Sequence, residues 1–163
     1  MTIRRSAIIP ALQLSLRAAV AAGSAVAIAQ ILKLPYPIYA LIAAVIVMDL
    51  SPSKTLQLAT QRLAGTLVGA TVGAVLSYSL PAGPSAIVVS ILIAMCLSYV
   101  LQLRAAAKLA GYVCGIVILS HTAYAWSYAL YRVMETFLGI AMAVLVSLVP
   151  KLLRMKMPDE TDS

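Results

Sequence analysis

Apolar residues along this chain come in long runs separated by prolines, glycines or short charged stretches, and neither strand alternation nor a narrow amphipathic stripe dominates. The runs predict six helical spans, at about 14–34, 36–50, 62–80, 85–103, 106–123 and 127–150, because a helix crossing a bilayer needs roughly 20 mostly apolar residues. Pro10 suits the first turn of the first helix, and Pro35 and Pro37 break the chain after it. The second span, Tyr36 to Leu50, comes to about 22 Å at about 1.5 Å per residue, short against a hydrocarbon core of about 30 Å. Ser51 followed by Pro52 reads as an N-cap with proline at the first helical position, so the third helix starts there. Its residues 54–61 are mixed polar and apolar and belong at the interface. Pro81 to Pro84 forms a turn, and in the fifth span the strictly apolar stretch runs only from Leu109 to Leu119.

Composition points the same way. Hydrophobic residues make up 63% and charged residues 10%, too little polar surface to cover the core of a small water-soluble domain. The expected fold is an all-α membrane protein, one six-span domain over residues 1–157 with a polar tail at 158–163. Arg4 and Arg5 ahead of an apolar stretch imitate a secretory signal, but Arg17 interrupts it and the stretch runs on to Leu34, which favours an uncleaved first span.

The net charge of +7 is spread between apolar runs, without the basic, aromatic-studded face of a nucleic-acid binder; topology explains it. Arg4, Arg5, Lys54, Arg62, Arg104, Lys108, Lys151, Arg154 and Lys156 fall on one side of the six spans, and Lys33 and Arg132 on the other. The positive-inside rule then places both termini in the cytoplasm of an inner, plasma-type membrane. Cys96 and Cys114 sit in apolar runs without metal-ligand spacing. With no phosphate-binding loop, metal set or nucleophile triad, the sequence predicts neither an enzyme nor a cofactor.

Sliding the chain against itself by 70 residues sets Arg62, Thr66 and Gly69 on Arg132, Thr136 and Gly139, Ser77 on Ser147, and 45–47 on 115–117. Span three then matches span six, and span two matches span five. Three spans per unit is an odd number, so the second unit enters the membrane the other way round and the two form an inverted repeat. In transporters of that architecture, short or Pro/Gly-interrupted segments at matching places mark the transport site. Spans two and five fit; alternatively, they are short helices that thin the bilayer locally or tuck beneath their neighbours.

An ionisable group inside a span costs about 2.5 to 3.5 kcal/mol on insertion scales and needs a partner, a wet cavity or an escape to the interface. Arg62, Arg132 and Arg17 are the candidates for an anion path, with Arg62 and Arg132 at opposite mouths, since guanidinium holds a carboxylate in a bidentate fork. The alternative for Arg17 and Arg62 is snorkelling as orientation anchors. Glu135, one turn from Arg132, suits an ion pair with it; with His121 it could instead form a proton-sensitive element. Asp49 reads as a pore acid or as a partner of Arg62 or Arg17. Gly65, Gly69 and Gly73 share one face, as do Gly111 and Gly115, so helix backbones can approach closely there, within the chain or in a second copy.

Four strings are recognisable together: Leu16 to Gly23, Tyr39 to Met48, Arg62-Leu-Ala-Gly65-Thr66-Leu-Val-Gly69 and Arg132-Val-Met-Glu135-Thr136-Phe-Leu-Gly139. They resemble the membrane domain of the fusaric acid resistance or aromatic acid exporter family, which is similar in turn to aluminium-activated malate transporters. The resemblance, over about 14–148, implies a six-span module that moves organic, including aromatic, carboxylate anions. In related transporters such a module acts as a dimer or as two fused modules with cytosolic regions; for the single module here, a homodimer is expected to restore the twelve-span arrangement, and the cytosolic region is expected to be missing. Asp49 departs from the family pattern, where a neutral polar residue is expected. A rival reading from another class is a non-transporting scaffold or accessory subunit.

Overall fold

A computed structural model describes residues 5–81, 83–120 and 124–149, and within them every regular element is helical. The elements are α1 (Arg5–Ile31), α2 (Ile38–Val47), α3 (Pro52–Leu76), α4 (Pro84–Val100), α5 (Ala107–Leu119) and α6 (Ala125–Leu148), with a 3-10 turn at Arg104–Ala106 leading into α5. Pro10 falls inside α1, past its first turn. Ser51 has the extended backbone of an N-cap and Pro52 opens α3, but the Ser51 hydroxyl caps no amide. It meets the Ser53 hydroxyl at 2.8 Å instead.

Ile8–Ile31 and Ala125–Leu148 are long and apolar enough to cross a membrane. The 10 residues of α2 and the 13 of α5 reach only about 15 and 20 Å, so neither crosses about 30 Å of hydrocarbon alone. Both are shorter than the apolar runs that announced them. Prolines and the extended Met48 stop α2, and the 3-10 turn delays α5.

The helices pack as two interleaved trios. One holds α1, α2 and α6, the other α4, α5 and α3, and they join along α3 and α6. The backbones of α2 and α5 do not touch. Spacing by 70 residues recurs in these contacts: a Cβ on Gly69 would run into Ala110 O and Val113 of α5, and one on Gly139 would run into Ala40 O and Ala43 of α2. The third helix of each half thus lies against the short helix of the other half.

Small residues fill the interior, with Ala21, Ala25, Ala40, Ala43, Ala44 and Ala143 in the largest cluster. Large apolar side chains such as Val88, Leu92, Val100, Leu130 and Phe137 point outward. This inside-out distribution is what lipid-embedded helices need, because packing on small residues drives their association while lipid accepts the large side chains. The glycine faces are used within the chain. Gly65, Gly69 and Gly73 lie on α5, while Gly111 and Gly115 lie on Met95, Ile91 and Ile87 of α4, so neither is left for a second copy.

Candidate functional site

The glycine face of α3 sets the geometry. Arg62 is one turn ahead of Gly65, so the close approach that Gly65, Gly69 and Gly73 allow brings α5 against α3 and Tyr112 under the arginine. The Arg62 guanidinium carbon lies 5.4 Å from the centroid of the Tyr112 ring. From α6, Arg132 reaches the same ring at 5.9 Å and stacks on Tyr39 of α2 at 3.6 Å. Its side chain therefore fills the gap between the two short helices.

Both arginines are buried, with 2% of their surface exposed, and Nε and Nη1 of each have no hydrogen-bond partner. The Tyr112 hydroxyl is also buried without one. A desolvated cation–π contact is worth about 2 kcal/mol, less than the cost of placing an arginine at membrane depth. The site as it stands has donors to spare and a net positive charge that its rings do not neutralise. A planar anion matches both deficits.

Three further tyrosine contacts extend the cluster. The Tyr39 and Tyr128 hydroxyls meet at 2.6 Å, and the Tyr36 and Tyr128 rings pack edge to face at 5.1 Å. Glu135, fully buried, accepts the Tyr36 amide on Oε1 at 2.7 Å, while Oε2 has no partner. The expected ion pair with Arg132 is not formed: Arg132 turns to the aromatic rings, and no Glu135 oxygen lies within 4.0 Å of its nitrogens.

The other sequence-predicted residues lie elsewhere. Arg62 and Arg132 do not stand at opposite mouths, since one ring serves both. Arg17 is a clamp on the α2–α3 break, donating from Nη1 to Leu50 O at 3.1 Å. Asp49 pairs with neither Arg17 nor Arg62; its partner is Lys54, at 3.2 Å. The Ser51 amide, 3.1 Å away, and then Lys54 hold the Asp49 carboxyl below its usual range. His121 lies outside the described residues. Sequence reasoning missed Tyr36, Tyr39, Tyr112 and Tyr128. The signal was available in eight tyrosines against one phenylalanine, because a hydroxyl buried in an apolar run needs a partner.

Two clefts flank this cluster. One of about 310 Å³ includes Thr60, Gln61, Gln102 and Arg104 in its lining. The other, of about 180 Å³, is lined by Pro35, Tyr36, Tyr124, Ser127, Tyr128 and Tyr131. They occupy matching places at the 70-residue spacing, with Gln61 opposite Tyr131, Ala105 opposite Pro35 and Ala106 opposite Tyr36.

The family described as fusaric acid resistance protein-like matches residues 24–146, which covers both arginines, both short helices and the four tyrosines. The chain belongs to this family. Comparisons with curated proteins and with solved structures find no match. As a member of the fusaric acid resistance protein-like family, the chain is a membrane protein whose work is transport of some kind.

Proposed function

We propose that this chain carries organic carboxylate anions, aromatic ones included, across an inner, plasma-type membrane along a path between α2 and α5. The observation that carries this reading is the buried pair Arg62 and Arg132, which share the Tyr112 ring and keep Nε and Nη1 unpartnered. Guanidinium N–H groups in that state are free to donate charge-assisted hydrogen bonds to a carboxylate, and tyrosine rings beside them offer an aromatic substrate a stacking surface. In this reading residues 5–76 and 84–148 are two three-helix units inserted in opposite directions, with both termini cytoplasmic. The matching contacts of Gly69 and Gly139 support the repeat, and the inversion requires α2 and α5 each to complete a crossing together with the non-helical residues that flank it. A homodimer then sets two complete paths side by side, because the arginines and the rings of each path come from one chain.

The test is flux of benzoate, as a defined probe anion, into liposomes holding the purified chain. Arg62→Ala and Arg132→Ala are each expected to lower flux at least about tenfold, equivalent to about 1.4 kcal/mol. Equal flux in all three proteins would remove the arginines from the path. No flux in the wild type would leave the scaffold reading standing.

A further inference from the structure

Arg62 and Arg132 occupy matching places, but one turn further on the match fails: α3 has Gly65 and α6 has Glu135. A Cβ on Gly65 would stand 2.9 Å from Ala106 O and 2.6 Å from Leu109 Cβ, so that end is closed by uncharged backbone packing. In the other half Tyr36 takes the place of Ala106, and its amide donates to Glu135. Between Pro35 and Pro37, Tyr36 has the one N–H that the break can give. This bond therefore ties α6 to the start of α2. The Tyr36 ring in turn packs on Tyr128, whose hydroxyl meets that of Tyr39 beneath Arg132.

Among the described residues, the charged and titratable groups around Glu135 are few. Arg132 and Tyr128 are on its own helix, Tyr36 and Tyr39 come with α2, Arg62 with α3 and Tyr112 with α5. α1 brings none to this end, its Arg17 being held on Leu50, and Lys33 after α1 is exposed. No cation is within 4.0 Å of the carboxylate among the described residues. The tyrosine-lined cleft opens beside Tyr36 and Tyr128, and the matching cleft carries Arg104; Glu135 stands behind the Tyr36 wall of the first, fully buried and reaching it through the Tyr36 amide.

We propose that Glu135 is the specificity-setting residue of the tyrosine-lined end, a carboxylate latch that admits anions to Arg132 only when it takes up a proton. Ionised, it grips the Tyr36 amide through a charge-assisted bond, about twice as strong as a neutral one, and its own charge opposes a second carboxylate in a low-dielectric space. Protonation weakens the grip and removes the repulsion together. The oxygen without a partner, Oε2, is the one free to take the proton. The inference rests on the anion path and names its regulation.

The experiment is benzoate flux in the same liposomes, with pH varied separately on each face, for wild type, Glu135→Gln and Arg132→Ala. Gln keeps an oxygen for the Tyr36 amide but has no charge to titrate. Wild-type flux is expected to rise as pH falls on one face only, approaching about tenfold per pH unit while the carboxyl is mainly ionised. Glu135→Gln is expected to be at least as fast as wild type at its fastest, and indifferent to pH on that face. Arginine-dependent flux in which Glu135→Gln keeps the wild-type pH profile overturns this inference alone, as does a wild type indifferent to pH. An arginine-dependent wild-type flux that is flat in pH overturns the inference even if the variant fails to fold, the Arg132→Ala flux being subtracted to remove diffusion of neutral benzoic acid. Arginine-independent flux, or none, overturns both this inference and the path on which it rests.

Discussion

Gly139→Ala places a methyl group where α6 meets the Ala40 carbonyl of α2, closer than real Cβ atoms come to any atom. Backbone cannot rotate away, so the two helices have to part. Overpacking costs about 1–3 kcal/mol, and contact with a carbonyl puts this case at the upper end. Alanine recovers about 0.8–1.0 kcal/mol of helix propensity, which leaves a net loss of about 2 kcal/mol. Gly69→Ala meets the Ala110 carbonyl in the same way and should lose a similar amount. Two controls bracket the effect. At Gly111 the obstacle is the Met95 side chain, 2.9 Å from the added atom, which can move, so cost and propensity nearly cancel. At Gly23 nothing lies within 4 Å, and alanine should stabilise by up to about 1 kcal/mol. Reversible unfolding in mixed detergent micelles, followed by the fluorescence of the single tryptophan, Trp126, would rank the four variants. If Gly139→Ala came within about 0.5 kcal/mol of Gly23→Ala, within the usual error of comparing distant sites, the helix contact would not be as close as described and the reasoning would fail.

Further outcomes follow from the site and its surroundings. Arg132→Lys keeps the charge but loses the flat stack on Tyr39, and should cost about 0.5–2 kcal/mol of stability as well as flux; full retention of both would show that the stack is idle. Tyr112→Leu removes the ring both arginines share, so its effect on flux should be non-additive with that of Arg62→Lys in a double-mutant cycle, and simple additivity would separate them. Arg17→Met should lose about 1.5–3 kcal/mol with the bond to the Leu50 carbonyl while leaving flux per folded molecule unchanged, which distinguishes a clamp from a path residue. Because the folded Asp49 carboxyl is held below its unfolded value, its contribution is present above the unfolded pKa and fades as pH falls through the folded one. With Lys54 largely exposed that contribution is under about 1 kcal/mol, and Asp49→Asn should remove only this acid-side slope.

The sequence by itself determined the class of protein and the number of helices, because long apolar runs and proline breaks act locally and need no partner. It also placed Arg62 and Arg132 at matching sites, and it marked α2 and α5 as short. Where a local signal met a tertiary alternative, the sequence was a poorer guide. Glu135 and Arg132 are one turn apart and suited to pairing, yet the arginine finds two rings and the acid finds an amide 99 positions away. Asp49 found Lys54, nearer in the chain than Arg62, because the break before α3 folds back on itself.

The tyrosines were visible as residues but not as a site, since their grouping depends on α2, α5 and α6 meeting, and nothing along the chain encodes which helices meet. The glycine faces were equally legible as invitations to close packing, while their partners, α4 and α5 of the same chain, were not. Periodicity and composition are properties of a segment and can be read from it. Which buried charge faces which ring is a property of the assembled helices, and the tertiary structure alone decided it.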